Sequence, residues 1–212
     1  MLKINEIFFS IQGESTFVGL PTVFIRTSGC HLRCTYCDTT YAYKEGRLMS
    51  IEDILNEVRK FPTRTVCVTG GEPLLQKESL HLMSQLCDLG YTVSLETSGD
   101  ISCRDVDPRV RKIIDVKTPD SGEPGRFEKE NLSLADNNSE FKFVICSEKD
   151  FFWAEEFVNT FLISEKHVVL YSPSFDKIEP RWLAEKILNE KSPARLQLQL
   201  HKYIWNPGVR GV

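Results

Sequence analysis

Short apolar runs, each breaking into polar residues at its C-terminal end, recur along the chain at intervals that leave room for helices. PTVFIRTSGC (21–30), TVCVTGGEP (65–73), YTVSLETSG (91–99), KIIDVKTP (112–119), FKFVICSEKD (141–150), HVVLYSPS (167–174) and RLQLQLHK (195–202) all read this way. Their length and β-branched content predict strands. Between them, SIEDILNEVRKF (50–61) places Ile51, Ile54, Leu55 and Val58 on one helical face, with Ser50 and Asp53 in capping-box positions. LLQKESLHLMSQLCDLG (74–90) reads as a helix stopped by Gly90, and DFFWAEEFVNTFL (150–162) and EPRWLAEKILNE (179–190) as two more. Strand and helix alternate, which predicts an α/β fold with a mostly parallel sheet. The units are too few for an eight-stranded barrel, so an open, partial (β/α) barrel is expected, as one domain over residues 1–212. PDSGEPGRFEKENLSLADNNSE (119–140) is polar and reads as a long surface loop with room for one helical turn.

In such a sheet ligands gather at the C-terminal strand ends. Here those ends read RTSGC, TGGEP, ETSG, DVKTP, SPS and QLHK, so polar chemistry collects on one face. Composition narrows the ligand. Hydrophobic residues at 41% and charged residues at 26% fit a globular chain. A formal charge of -4 offers no net attraction to nucleic-acid backbone or anionic membrane. Gln12 and Glu14 interrupt the N-terminal apolar stretch too early for a signal peptide, and no apolar run reaches spanning length. A cytoplasmic protein is expected, and its 7 cysteines then read as reduced thiols or metal ligands rather than disulfides.

Three of those thiols, Cys30, Cys34 and Cys37, fall in SGCHLRCTYCDT (28–39). A structural zinc site wants four ligands, and no second pair completes these; His31 sits beside Cys30, where joint coordination is awkward. The interleaved His31, Arg33, Thr35 and Asp38 argue against a dry core cluster. Three thiolates suit a [4Fe-4S] cubane with one iron left open for chemistry. Backbone amides near Gly29 are placed to donate to its sulfides. The CxxxCxxC spacing after a strand, with Tyr36 just before the last cysteine, resembles the radical S-adenosylmethionine (radical SAM) superfamily. Gly70, Gly71, Glu72 and Pro73 resemble its GGE element, although alone they would read as a turn. The resemblance implies that S-adenosylmethionine chelates the open iron and is cleaved by one electron to methionine and a 5'-deoxyadenosyl radical.

INEIFFSIQGES (4–15), FIRTSGC (24–30), CDTTY (37–41), VTGGEPLLQ (68–76), LETSG (95–99) and LQLHKYIWNPGVRGV (198–212) together are similar to the 7-carboxy-7-deazaguanine synthase family of queuosine and deazapurine biosynthesis. The match runs from about Asn5 onward and is weakest from Asp120 to Glu140. It implies a lyase that rearranges 6-carboxy-5,6,7,8-tetrahydropterin to 7-carboxy-7-deazaguanine with ring contraction and loss of ammonia. It also implies magnesium, an electron donor such as flavodoxin or ferredoxin, and a homodimer.

Carried over residue by residue, the resemblance assigns Ile11, Gln12, Gly13, Arg26, Thr69, Glu96 and His201 to the substrate. It assigns Tyr36, Cys37, Asp38, Gly71, Ser98, Lys117 and Thr118 to S-adenosylmethionine, and Thr39 to magnesium. The residue chemistry alone leaves choices open. Arg26 is placed to meet a carboxylate but would otherwise read as a surface ion pair. Glu96 suits pterin nitrogens or the cofactor ribose equally. Asp38 and Thr39 read alone as a turn or cap. Many relatives carry serine, proline and lysine where this chain has DVKTP. Gln199 and His201 alternate with Leu198 and Leu200, so they are expected on one face of a last strand. Phe151, Phe152, Trp153, Phe157 and Trp182, and the single cysteines Cys67, Cys87 and Cys146, read as core; Trp205 reads as a candidate subunit contact. A glycyl-radical-enzyme activase acting on a protein, or a non-enzymatic iron-sulfur or zinc module, would share the cysteine motif. The substrate-like Gln12, Arg26 and QLHK end argue against the activase.

Overall fold

The computed structural model describes residues 1–212. Nine strands form one sheet: β1 (Leu2–Ile11), β2 (Pro21–Thr27), β3 (Arg47–Met49), β4 (Thr65–Gly70), β5 (Thr92–Thr97), β6 (Arg111–Asp115), β7 (Ser139–Ile145), β8 (Val168–Pro173) and β9 (Arg195–Leu196). Their spatial order is β3-β1-β2-β4-β5-β6-β7-β8-β9. From β2 to β9 every neighbouring pair is parallel, and the two edges do not meet, so the barrel is partial and unclosed. β1 is the exception, pairing antiparallel with both β2 and β3. PTVFIRT is thus the second strand, not the first.

The helices are α1 (Ile51–Val58), α2 (Glu78–Asp88), α3 (Glu130–Leu134), α4 (Glu148–Thr160), α5 (Pro180–Asn189) and α6 (His201–Ile204). α1 starts where its capping box predicts: Ser50 Oγ accepts from the Asp53 amide at 3.1 Å and the Asp53 carboxylate accepts from the Ser50 amide at 3.3 Å. Its Ile54, Leu55 and Val58 are buried against the sheet. α3 is the helical turn within the polar 119–140 segment.

Alternation along β7 shows how the sheet serves two masters. Phe141, Phe143 and Ile145 point to the helices, where Phe143 meets Tyr171 edge-on at 5.6 Å. Lys142 and Val144 point the other way, into the barrel. In α4 the aromatic run divides: Phe151 is fully buried, Trp153 and Phe157 pack at the core margin, but Phe152 is 46% exposed. Cys67 is buried, whereas Cys87 and Cys146 are half-buried. No helix is long and apolar enough to cross a membrane.

The end of the chain departs from the sequence expectation. β9 stops after Leu196, and Gln199 and His201 do not alternate on a strand; His201 opens α6. An edge strand has one neighbour to pair with, and here other backbone bonds replace the ladder: the Leu200 amide donates to Gly13 O at 3.0 Å, across the fold, and the Ile204 amide to Leu200 O at 3.1 Å, within a helical turn. The chain turns off the sheet to close over the Gly13 turn.

Candidate active site

Cys30, Cys34 and Cys37 occupy an irregular loop after β2; all are free and half-buried, and all face one cavity of about 410 Å³ inside the open barrel. The loop is held from several sides. Gly29, at φ +97°, donates to Ala42 O and accepts from the Glu72 amide, both at 2.8 Å. The Thr35 amide donates to Ser121 O at 2.8 Å, and the Arg33 guanidinium donates to Cys30 O at 2.8 Å while lying over the Tyr43 ring. The GGE turn presses directly on this loop: a Cβ at Gly71 would stand 2.1 Å from Gly29 O. Only glycine lets the two backbones approach so closely.

No three His, Cys, Asp or Glu side chains converge on a point where a single metal ion would sit. That is the expected state for cubane ligands, whose sulfurs sit at separate corners. Burial pushes the Cys30 and Cys34 thiols up, and a bound iron-sulfur cluster would bring them to thiolate. Three thiols on a loop tied to a close-packed glycine turn, opening on a cavity, fit a [4Fe-4S] cluster.

Beside the loop, Glu72 is wholly buried and accepts from the Leu74 amide and Thr97 hydroxyl at 2.9 Å, the Ser98 amide at 2.7 Å and the Ser98 hydroxyl at 2.5 Å. Burial raises its carboxyl and these four donors oppose the rise. Ser98 therefore faces the cavity with its hydroxyl already engaged. Lys117 Nζ lies 3.0 Å from Asp115 and 3.5 Å from the Tyr36 hydroxyl. Asp38 is paired with Lys202 at 2.7 Å, and Thr39 Oγ1 lies 3.8 Å from Cys37 Sγ. Thr118 is a correction. Its hydroxyl donates to Val144 O and to Asp150, each at 3.0 Å, so it anchors the start of α4 and does not line the cavity.

In the same cavity, Glu96 accepts from Thr69 Oγ1 at 2.9 Å and from Gln12 Nε2 at 3.4 Å. Arg26 donates through Nε to Glu6 at 2.7 Å, and Tyr41 donates to the same oxygen at 2.9 Å. The terminal guanidinium nitrogens of Arg26 have no hydrogen-bond partner in the protein. His201 packs on Gly13, where a Cβ would meet Nδ1 at 2.4 Å. Ile11, Gln12 and Gly13 line the same cavity as the cysteines.

Other cavity groups escaped the sequence reading. Glu14 accepts from Lys142 Nζ at 2.6 Å and Gln199 Nε2 at 2.9 Å, and Lys142 lies 3.7 Å from Asp115. Burial alone would raise Glu14, yet the Lys142 ammonium, with His201 also near, brings its carboxyl down to about 2. Lys142 in turn is raised: Glu14, Asp115 and Glu96 outweigh its desolvation. One signal for Lys142 was available, a charge set at an inward position of the apolar run FKFVI. Asp115 Oδ1 and Ser174 Oγ are buried at the cavity with no partner. The C-terminal segment from Pro207 also lines it, with Arg210 lying 3.8 Å over the Tyr41 ring and paired with Glu45 at 3.0 Å.

A family model described as the radical SAM superfamily matches residues 24–119. A 7-carboxy-7-deazaguanine synthase from Chlorobaculum tepidum is 49% identical over 214 residues, covering 100% of this chain and 97% of the relative. Another from Koribacter versatilis is 42% identical over 226 residues, with 100% of each chain covered. The crystal structure of QueE from Escherichia coli matches with a TM-score of 0.78 at 26% identity, over 94% of both chains.

Proposed function

The chain belongs to the 7-carboxy-7-deazaguanine synthase family of radical SAM enzymes, in the queuosine pathway, and from that membership we propose that it converts 6-carboxy-5,6,7,8-tetrahydropterin to 7-carboxy-7-deazaguanine with loss of ammonia. The observation that carries the reading is that the three-cysteine loop and the residues Gln12, Arg26, Thr69, Glu96 and His201 line one cavity. A small ligand lying between them touches both.

The [4Fe-4S] cluster and S-adenosylmethionine belong to this family, and together they supply a one-electron cleavage that yields a hydrogen-abstracting radical. Cys30, Cys34 and Cys37 hold the cluster; Tyr36, Cys37, Asp38, Gly71, Ser98 and Lys117 surround the cofactor. Arg26, with its terminal nitrogens free and Nε fixed by Glu6, takes the substrate carboxylate in a bidentate pair. Glu96, fixed by Thr69, accepts from the amidine-like pterin nitrogens, and Gln12, Gly13, Ile11 and His201 close that end. Thr39 offers one hydroxyl to Mg2+, which takes its other oxygens from substrate and water. The reading also takes residues 1–212 as one radical SAM domain working in the cytoplasm, as a homodimer, with flavodoxin or ferredoxin as the electron donor. The single sheet supports the first point.

Anaerobic reconstitution with iron and sulfide, then reduction with S-adenosylmethionine and the carboxytetrahydropterin, tests this by mass spectrometry. Deazaguanine requiring both cluster and cofactor is expected, with slower turnover after magnesium is chelated. 5'-Deoxyadenosine without deazaguanine would overturn the substrate assignment.

A further inference from the structure

We propose that Lys142 is a positioning residue for substrate: its ammonium, seated beneath the Gln12–Gly13–Glu14 turn, fixes the Glu14 carboxylate as a permanent acceptor at the pterin end of the cavity. This rests on the substrate reading above. Glu14 and Lys142 lie 128 residues apart in sequence, on a turn after β1 and on β7, and meet at 2.6 Å; the same two elements are also tied by Thr16, whose amide donates to Glu140 at 3.1 Å and whose hydroxyl donates to the same carboxylate. Both side chains are about 10% exposed. A lysine side chain buried to this degree persists only where partners hold it.

The surroundings give the pair a direction. Glu14 Oε1 is set by Gln199 Nε2 at 2.9 Å, and the Glu14 backbone amide donates to Gln12 Oε1 at 3.0 Å, so the turn that carries the carboxylate also anchors the Gln12 side chain. Gln12 Nε2 in turn reaches Glu96, the proposed pterin acceptor. Lys142 is steadied on its far side by Asp115 at 3.7 Å. The charged or titratable groups facing Glu14 are Lys142 from β7 and His201 from α6; those facing Lys142 are Glu14, Asp115 from β6 and Glu96 from β5. With Lys142 in place, Glu14 is ionised throughout the working pH range. Without it, a buried carboxylate beside only His201 takes up a proton far more readily.

The test compares reconstituted wild type, K142M and K142R, with iron content and cluster absorbance as the check on assembly. KM for the carboxytetrahydropterin and kcat are measured from pH 6 to 9. For K142M, KM is expected to rise on the order of tenfold or more. The rise grows as pH falls, because protonation removes the acceptor, while His201 is common to all three proteins and cancels in the comparison. K142R restores the charge and is expected to return KM to within a few-fold of wild type with the wild-type pH profile. A K142M enzyme whose KM keeps the wild-type pH dependence, or a K142R enzyme no better than K142M, overturns the proposal and leaves a packing role. Wild type that binds cluster but makes no deazaguanine refutes the substrate reading instead, and the inference falls with it.

Discussion

Gly71→Ala isolates the contact on which the cysteine loop depends. Gly71 lies outside the left-handed backbone region, so alanine meets no conformational objection there. The added methyl group is the whole perturbation. It would stand 2.1 Å from Gly29 O, 2.5 Å from Gly29 C and 3.0 Å from Cys30 Cβ, all of them backbone or close to it. Reaching ordinary van der Waals separation, from 3.4 Å upward, takes a retreat of about 1.3 Å or more by the strand-end loop. That retreat opens the 2.8 Å bond from the Glu72 amide to Gly29 O and displaces Cys30. Overpacking of this kind costs about 1–3 kcal/mol, a drop in Tm of roughly 2–12 °C for a chain of this length. A misplacement of about 1 Å at a reacting centre costs on the order of a hundredfold in rate. After anaerobic reconstitution, Gly71→Ala should be folded, with reduced iron per chain and cleavage of S-adenosylmethionine down about a hundredfold. Gly90→Ala is the control: at φ +80°, with nothing within 4 Å of an added Cβ, it loses stability through backbone strain alone and should keep a full cluster. Full iron content and wild-type cleavage in Gly71→Ala would refute the reasoning.

Cys34→Ala should abolish cluster assembly yet leave a folded, pale protein, because the loop carries little of the core; circular dichroism and iron analysis decide, and a retained cluster counts against the ligand assignment. Ser50→Ala removes the α1 cap and should cost about 1 kcal/mol in urea unfolding without touching activity, because Ser50 does not line the cavity. Glu14 titrates at about 2 in the fold against an ordinary 4.5, so its stabilisation is present above pH 4.5 and is lost as pH falls toward 2. The loss is of order 3 kcal/mol. Urea unfolding between pH 5 and 2.5 should therefore show a shallower acid limb for Glu14→Gln than for wild type, and parallel limbs would contradict the ion pair.

The parallel strands and the cysteine loop were legible because both are local. A period of two and a spacing of three then two residues need nothing beyond the neighbouring sequence. β1 was not, because Phe8 and Phe9 are adjacent and Lys3, Asn5 and Glu6 interrupt the run; antiparallel pairing with β2 and β3 makes it a strand. The last strand was overextended for the opposite reason: RLQLQL alternates well, but β8 supports only Arg195 and Leu196 by pairing. Thr118 shares the strand-end pattern of Lys117, yet its alternate direction sends it toward Asp150. Glu14 and Lys142 carry no mutual signal at a separation of 128 residues; only folding brings opposite charges together there.

The same network explains how a cavity can be crowded with charge and still discriminate. Arg26 with Glu6, Lys142 with Glu14, Lys117 with Asp115 and Lys202 with Asp38 satisfy each other, which fixes their side chains before any ligand enters. What remains unmet is specific: the terminal nitrogens of Arg26 at one end, and Asp115 Oδ1 and Ser174 Oγ beyond. A ligand that offers an anion to Arg26 meets a group that need not reorganise. One lacking the anion leaves the terminal nitrogens of Arg26 without an acceptor although its Nε stays paired with Glu6, and a site built to hydrogen-bond a group discriminates more sharply against its absence than one that offers apolar contact alone. Selectivity in this fold therefore comes from the few open valences of an otherwise self-neutralised site.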